Sequence, residues 1–308
     1  MGWNAAEIEE LENEIVVITG ANSGLGFSAT KILAEHGAKV VMACRSLDKA
    51  EQAKEEIEKE VDEPDLEVME LDLSDLESVK SFSEEFKQKY DSLDILCNNA
   101  GLMALPRRET EDGFEMQLGV NHLGHFALTA HLIDLIVEAG GRVVNQSSMA
   151  HEDGEIDFDD LMSEDDYSKW GAYGQSKLAN LLFTYELNRR LEDKDIDVES
   201  VACHPGISDT NLFKIGPKME HSKIKLYLGQ MISKIFGQSP SKGCLPMLYA
   251  ATSEQIQGGE YIGPDGFKHA RGYPEKQGSS EASQNEDDAK KLWERSEELT
   301  GLKFKILE

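Results

Sequence analysis

Tyr173 and Lys177 stand four residues apart in the run YGQSK, which puts a phenol and an ammonium on one face if the run is helical. A free phenol, with a pKa of about 10, is a poor base at neutral pH, but an ammonium beside it stabilises the phenolate and lowers that value. Such a pair can exchange protons with an alcohol or carbonyl oxygen, general acid–base catalysis on the order of 10²- to 10⁴-fold. The spacing also arises in helices that merely pack, so the surroundings have to decide. Tyr167, Tyr227 and Tyr249 are followed four residues on by Gly171, Met231 and Ser253, none of them cationic. Tyr185 has Arg189 at that spacing, but it lies about three turns further along the same helical pattern. Ser148 closes the run GRVVNQSS, where a hydroxyl would donate to charge developing on a substrate oxygen; Ser147 is the competing candidate.

The run TGANSGLG, residues 19–26, follows a β-rich stretch and opens a helical one. Gly20 permits a tight turn, Gly24 lets backbone approach a pyrophosphate and Gly26 allows close helix packing, with Asn22, Ser23 and Leu25 completing the loop. The helix N-terminus then offers N–H donors to phosphate. A plain strand-to-helix connection is the alternative, and the spacing and context favour a dinucleotide. Arg45 ends the next β-rich run, where an acidic residue would hydrogen-bond a ribose 2′-hydroxyl. Its planar cation suits a 2′-phosphate instead and favours NADP over NAD, unless it is simply a surface arginine. Ser23 and Ser46 could add donors there.

These residues need a sheet edge to gather them. Predicted strands are IVVITG (15–20), AKVVMACR (38–45), LEVMELD (66–72), LDILCNNAG (93–101), GRVVNQSS (141–148), IDVESVACHPG (196–206) and a short GEYIG near 259. Longer amphipathic runs alternate with them, including a helix from about Phe114 to Glu138. This is the rhythm of a parallel sheet with crossover helices. The expected architecture is α/β, a doubly wound Rossmann-type three-layer sandwich with a seven-stranded parallel sheet. Strand ends at Gly20, Arg45, Asp72, Asn98, Ser147 and His204 fall on the carboxyl edge, where ligands bind in open α/β sheets. No repeat or linker divides the chain, so residues 1–308 read as a single domain. Residues 275–290 read as a mobile tether to a final helix, KKLWERSEELTG.

A formal net charge of −28 argues against nucleic acid and anionic membrane as partners, since both demand basic patches. The longest apolar run, LGVNHLGHFALTA, falls short of a membrane span, and the acidic N-terminus is unlike a signal or transit peptide. A cytoplasmic protein is expected. Cys44, Cys97, Cys203 and Cys244 lack C-x-x-C spacing, and three of them end apolar runs; small buried hydrophobes in a reducing compartment are the expectation. Eight dispersed histidines give no metal site, and DFDD lacks calcium-loop spacing.

In this order TGANSGLG, Asp72-Leu73, NNAG (98–101), VNHLGHF, NQSS, YGQSK and HPG (204–206) resemble the short-chain dehydrogenase/reductase family. VVMACRS, NHLGHFALT and SKLANLLFTYEL resemble its retinol dehydrogenase-like branch, and GAYGQSKLANLL with EIDFDDL is similar to oxidoreductases of that branch in halophilic archaea. The resemblance implies that Asp72 and Leu73 border an adenine and that Asn99, Ala100 and Gly101 line the middle of the cofactor. It implies that Pro205, Gly206, Ile207 and Thr210 meet its nicotinamide end. Lys177 would also hold the nicotinamide ribose, and Tyr173 would be the acid in reduction and the base in oxidation. Ser148 is favoured over Ser147, and Asn121 would position a water in a proton relay behind Lys177. Assembly as a homodimer or homotetramer through the helices beginning near Asn121 and Tyr173 is implied as well. An acidic surface adapted to high salt is a further expectation.

Two regions shape the substrate side. Residues 149–172 are long and acidic, and their His151 and Trp170 either reach substrate or pack in a loop. Residues from about 208 to 240 mix apolar side chains with lysines and would form a small substrate lid, which suits a lipophilic alcohol, aldehyde or ketone. The expected activity is therefore NADP-dependent interconversion of such compounds. A catalytically silent NADP-binding regulator on the same fold is the alternative, and a nucleotide-sugar lyase or epimerase is a more distant one.

Overall fold

Val- and Ile-rich runs buried on both sides can only sit in the middle of a covered sheet. The structure, a computed structural model, describes residues 2–207 and 238–307. Along the chain come β1 (Ile15–Thr19), α1 (Gly24–Glu35), β2 (Lys39–Cys44), α2 (Leu47–Glu58), β3 (Leu66–Glu70), α3 (Leu76–Lys89) and β4 (Ile95–Asn98). Then follow α4 (Gly124–Ala139), β5 (Arg142–Gln146), α5 (Lys169–Asp193), β6 (Glu199–Cys203), α6 (Leu245–Thr252), β7 (Tyr261–Pro264), β8 (Pro274–Gln277) and α7 (Glu286–Thr300). The strands form one sheet in the order β3-β2-β1-β4-β5-β6-β7-β8. All neighbours pair in parallel except β7 and β8. The order reverses between β1 and β4, which opens a crevice at their carboxyl ends.

Strand alternation sorts the core into two layers. Val16 and Ile18 of β1 pack with Ala29 and Leu33 of α1 and Leu248 of α6. Val17 faces the other way, onto Phe82 and Phe86 of α3 and Phe126 of α4. The three-layer sandwich inferred from the sequence is thus present, with eight strands rather than seven.

The eighth strand corrects the predicted tether. Residues 274–277 pair antiparallel with β7 from Pro264↔Pro274 to Tyr261↔Gln277, and Glu281–Gln284 form a short helical turn before α7. The sequence PEKQ carries no apolar alternation because an edge strand exposing Glu275 and Lys276 has only one partner and little to bury. The helix predicted from Phe114 to Glu138 is also not continuous. A short turn at Met116–Leu118 leads into a π-helical turn, Gly119–Leu123, before α4 begins. The predicted lid lies almost wholly outside the described residues, as does Thr210.

Candidate active site

The first strand delivers its glycine turn to the crevice. Gly20 has φ +69°, and a side chain at Gly26 would begin 2.4 Å from the Gly20 carbonyl oxygen, so only glycine lets α1 start this close to the strand. The N-cap side chains of α3, α5 and α7 bond their own helix ends, through Asp75, Ser168 and Asn285. Ser23 and Ser46, which cap α1 and α2 beside the crevice, make no such bond. The first turn of α1 also carries no acidic residue. Free N–H groups and uncommitted hydroxyls at this edge fit an anionic ligand such as a dinucleotide's phosphates.

These elements enclose a cleft of about 360 Å³. Its lining includes the predicted Gly20, Asn22, Ser23, Gly24, Leu25, Gly26, Arg45, Ser46, Asp72, Leu73, Asn99, Ala100, Gly101, Ser148, Tyr173, Lys177, Pro205 and Gly206. Glycine turn and tyrosine, far apart in the sequence, therefore line one crevice. Ile207 is not part of the lining; its backbone is paired with Ala270 and Gln238. Arg45 is largely exposed and lies 3.9 Å from Asp72. Lys49, which the sequence reading missed, joins it on the wall. The signal was its position four residues after Arg45, in the first turn of α2.

At the other end Tyr173 and Lys177 do share a helical face, with the lysine Nζ 5.9 Å from the phenol ring centre. Lys177 is buried and its Nζ donates to the Gln146 carbonyl at 2.9 Å. Burial pulls its pKa down to about 8. The expectation that the ammonium lowers the phenol is not met: burial raises the Tyr173 pKa, and the Ser148 hydroxyl opposes that only in part. Tyr173 is thus held as a neutral phenol, a proton donor.

The two serines separate clearly. Ser147 donates to the Lys177 carbonyl at 2.8 Å, so its only proton is engaged. Ser148 Oγ accepts from the Ala150 amide at 3.2 Å and keeps its proton for another acceptor beside Tyr173. Asn121 lies behind the cleft rather than in it, fully buried in the π-helical turn. Its amide clasps the Leu102 backbone, accepting from N–H at 2.7 Å and donating to C=O at 2.9 Å, and also donates to Ser176. Gln146 is another residue that sequence reading missed, because its backbone carbonyl, not its side chain, holds Lys177. His151 is 2 % exposed and engaged in loop packing, whereas Trp170 is 54 % exposed with its ring edge-on to Tyr173 at 6.2 Å. Met103, Ala104, Tyr173 and Ala150 form an apolar patch beside them.

Comparison with known proteins agrees with this geometry. The short chain dehydrogenase family model matches residues 14–220. Human retinol dehydrogenase 14 is 41 % identical over 95 % of this chain and 88 % of its own length, and human retinol dehydrogenase 12 is 40 % identical over 96 % and 89 %. A crystal structure of an uncharacterised protein from Mycobacterium paratuberculosis superposes with a TM-score of 0.81 at 40 % identity, covering 99 % of both chains. A short chain dehydrogenase from Shigella flexneri, solved with NADP, shares the fold with a TM-score of 0.62 at 20 % identity, over 83 % of this chain and 98 % of its own. The chain belongs to the short chain dehydrogenase family, in its retinol dehydrogenase-like branch. It is an oxidoreductase acting on CH–OH groups.

Proposed function

We propose that this chain uses NADP to interconvert a lipophilic alcohol with its aldehyde or ketone, with Tyr173 as general acid and base. One observation carries the reading: a single cleft holds the glycine turn and two cations at one end and Tyr173, Lys177 and Ser148 at the other. A bound nicotinamide supplies the hydride in reduction and takes it in oxidation. The chain positions and moves the proton. Ser148 donates to the reacting oxygen, and Tyr173 protonates that oxygen in reduction or removes its proton in oxidation. Lys177, fixed by Gln146, keeps positive charge beside the phenol as it ionises and would hold the ribose of a bound nicotinamide nucleotide. Asn121 acts one step away by holding the loop at Leu102 that borders the cleft.

Arg45 and Lys49 support the 2′-phosphate reading, and the NADP bound by the Shigella protein is compatible with it. The apolar patch at Met103, Ala104 and Ala150 and the retinol named for the human relatives support a lipophilic substrate. Four buried free thiols suit a cytoplasmic setting. The test is a panel of hydrophobic aldehydes with NADPH and NADH, run on the protein and on Arg45→Asp. NADPH oxidation by the parent and a swing towards NADH in the variant are expected. Tight NADPH binding without turnover of any aldehyde would favour the silent regulator, and unchanged preference in Arg45→Asp would remove Arg45 from phosphate recognition.

A further inference from the structure

His151 follows the strand-end serine by three residues, in the helical turn Met149–Asp153. Its two ring nitrogens meet two backbone groups whose roles are fixed. Nδ1 is 2.7 Å from the Ser148 carbonyl oxygen, which can only accept, and Nε2 is 3.2 Å from the Ser280 amide, which can only donate. The imidazole is therefore neutral with its proton on Nδ1. Burial favours the same state, lowering the His151 pKa from 6.5. The groups that face it are Glu152 in its own turn, the Tyr261 ring of β7, edge-on at 5.4 Å, and His204 beyond β6. His204 is itself neutral, accepting from the Gly206 amide on Nδ1, so its Nε2 donates to Gln277.

Ser280 does not hang free. Its neighbour Ser279 bonds the Tyr185 phenol of α5 at 2.8 Å and accepts from Gln284, and the Ser280 carbonyl accepts from the Ser283 hydroxyl. The segment between β8 and α7 is thus anchored to α5 and reaches back to the turn that carries Ser148.

We propose that His151 is a positioning residue: it latches the C-terminal segment to the peptide unit after Ser148 and so fixes the direction of the Ser148 hydroxyl towards Tyr173. This rests on the assignment of Ser148 as the substrate-oxygen donor. The latch needs an acceptor on Nε2. A second proton on the ring turns Nε2 into a donor facing the Ser280 N–H, and the latch opens.

Ser280→Pro isolates the amide. Ser280 has φ −61°, which proline adopts, and its hydroxyl has no partner to lose, so the substitution removes little besides the N–H. His151→Phe removes both bonds, and His151→Asn can restore the donor to the Ser148 carbonyl alone. Carbonyl reduction with NADPH is measured for these variants, for the double variant and for Ser148→Ala, with NADPH affinity and melting temperature alongside. Each of Ser280→Pro and His151→Phe is expected to lower kcat about tenfold with NADPH affinity nearly unchanged. The double variant is expected to fall no further than the worse single one, and His151→Asn to recover part of the loss. The parent should lose kcat below pH 6.5, a limb that Ser280→Pro should lack. Additive losses, or losses that track melting temperature with no change in the acid limb, overturn the latch. Normal kcat in both single variants with an inactive Ser148→Ala overturns the latch alone; an active Ser148→Ala overturns the serine assignment beneath it.

Discussion

At the scale of single residues, the site sets a neutral phenol against a lysine whose proton is loosely held. Burial moves both in the direction of the uncharged form, Tyr173 up and Lys177 down to about 8. Reduction needs the phenol protonated and the ammonium charged. Its kcat is expected to hold through neutrality and to fall as pH rises through about 8, where Lys177 gives up its proton. A profile flat to pH 10 would mean that the ammonium is not required. The residues legible in the sequence were those whose type alone declares the chemistry: glycines at a turn, a phenol with a cation one turn on, an arginine at a strand end. Lys49 was missed because its place on the wall depends on how α2 leaves Arg45. Gln146 was missed because a backbone carbonyl does the holding. The phenol's direction is not legible in the sequence, where the charge beside it shows and its removal from water does not.

At the scale of elements, strands and crossover helices were readable because two-sided burial writes continuous apolar runs. The breaks were not. The π-helical turn at Gly119–Leu123 follows from no periodicity, yet it sets Asn121 against Leu102. The last helix was foreseen as an element but not as a cover. Trp293 of α7 lies 5.3 Å from Phe126 of α4 and 5.8 Å from Phe183 of α5 between ring centres, with Phe304 4.6 Å away on its other side. Arg190 stacks over the same indole at 4.4 Å. Self-association through these two helices, as the resemblance implied, would have to displace α7 or use other surfaces. Trp293→Ala should lower stability by about 3–5 kcal/mol in urea unfolding, from lost burial and the cavity left behind. A change below about 1 kcal/mol would show that α7 adds little to the fold.

At the scale of the whole molecule, His122, His125 and His204 sit buried and neutral, as His151 does. Burial pushes His122 down to about 3 and His125 and His204 to about 4. The unfolded chain binds protons at these positions below pH 6.5 while the folded chain does not, so stability is present above that pH and is lost as pH falls towards 4. Each should remove about 2 kcal/mol between pH 7 and pH 5, with Glu14 and Glu115, raised by burial, opposing the loss. A lower urea midpoint at pH 5 than at pH 7 is expected; an equal or higher one would contradict it. The central claim concerns what the assembled cleft does with a proton. Its most direct measurement is NADPH oxidation with a turned-over aldehyde, compared between the protein and Tyr173→Phe at equal cofactor saturation. A fall in kcat on the order of 10²-fold or more with unchanged NADPH affinity is the expected result, and near-normal turnover by the phenylalanine variant would contradict it.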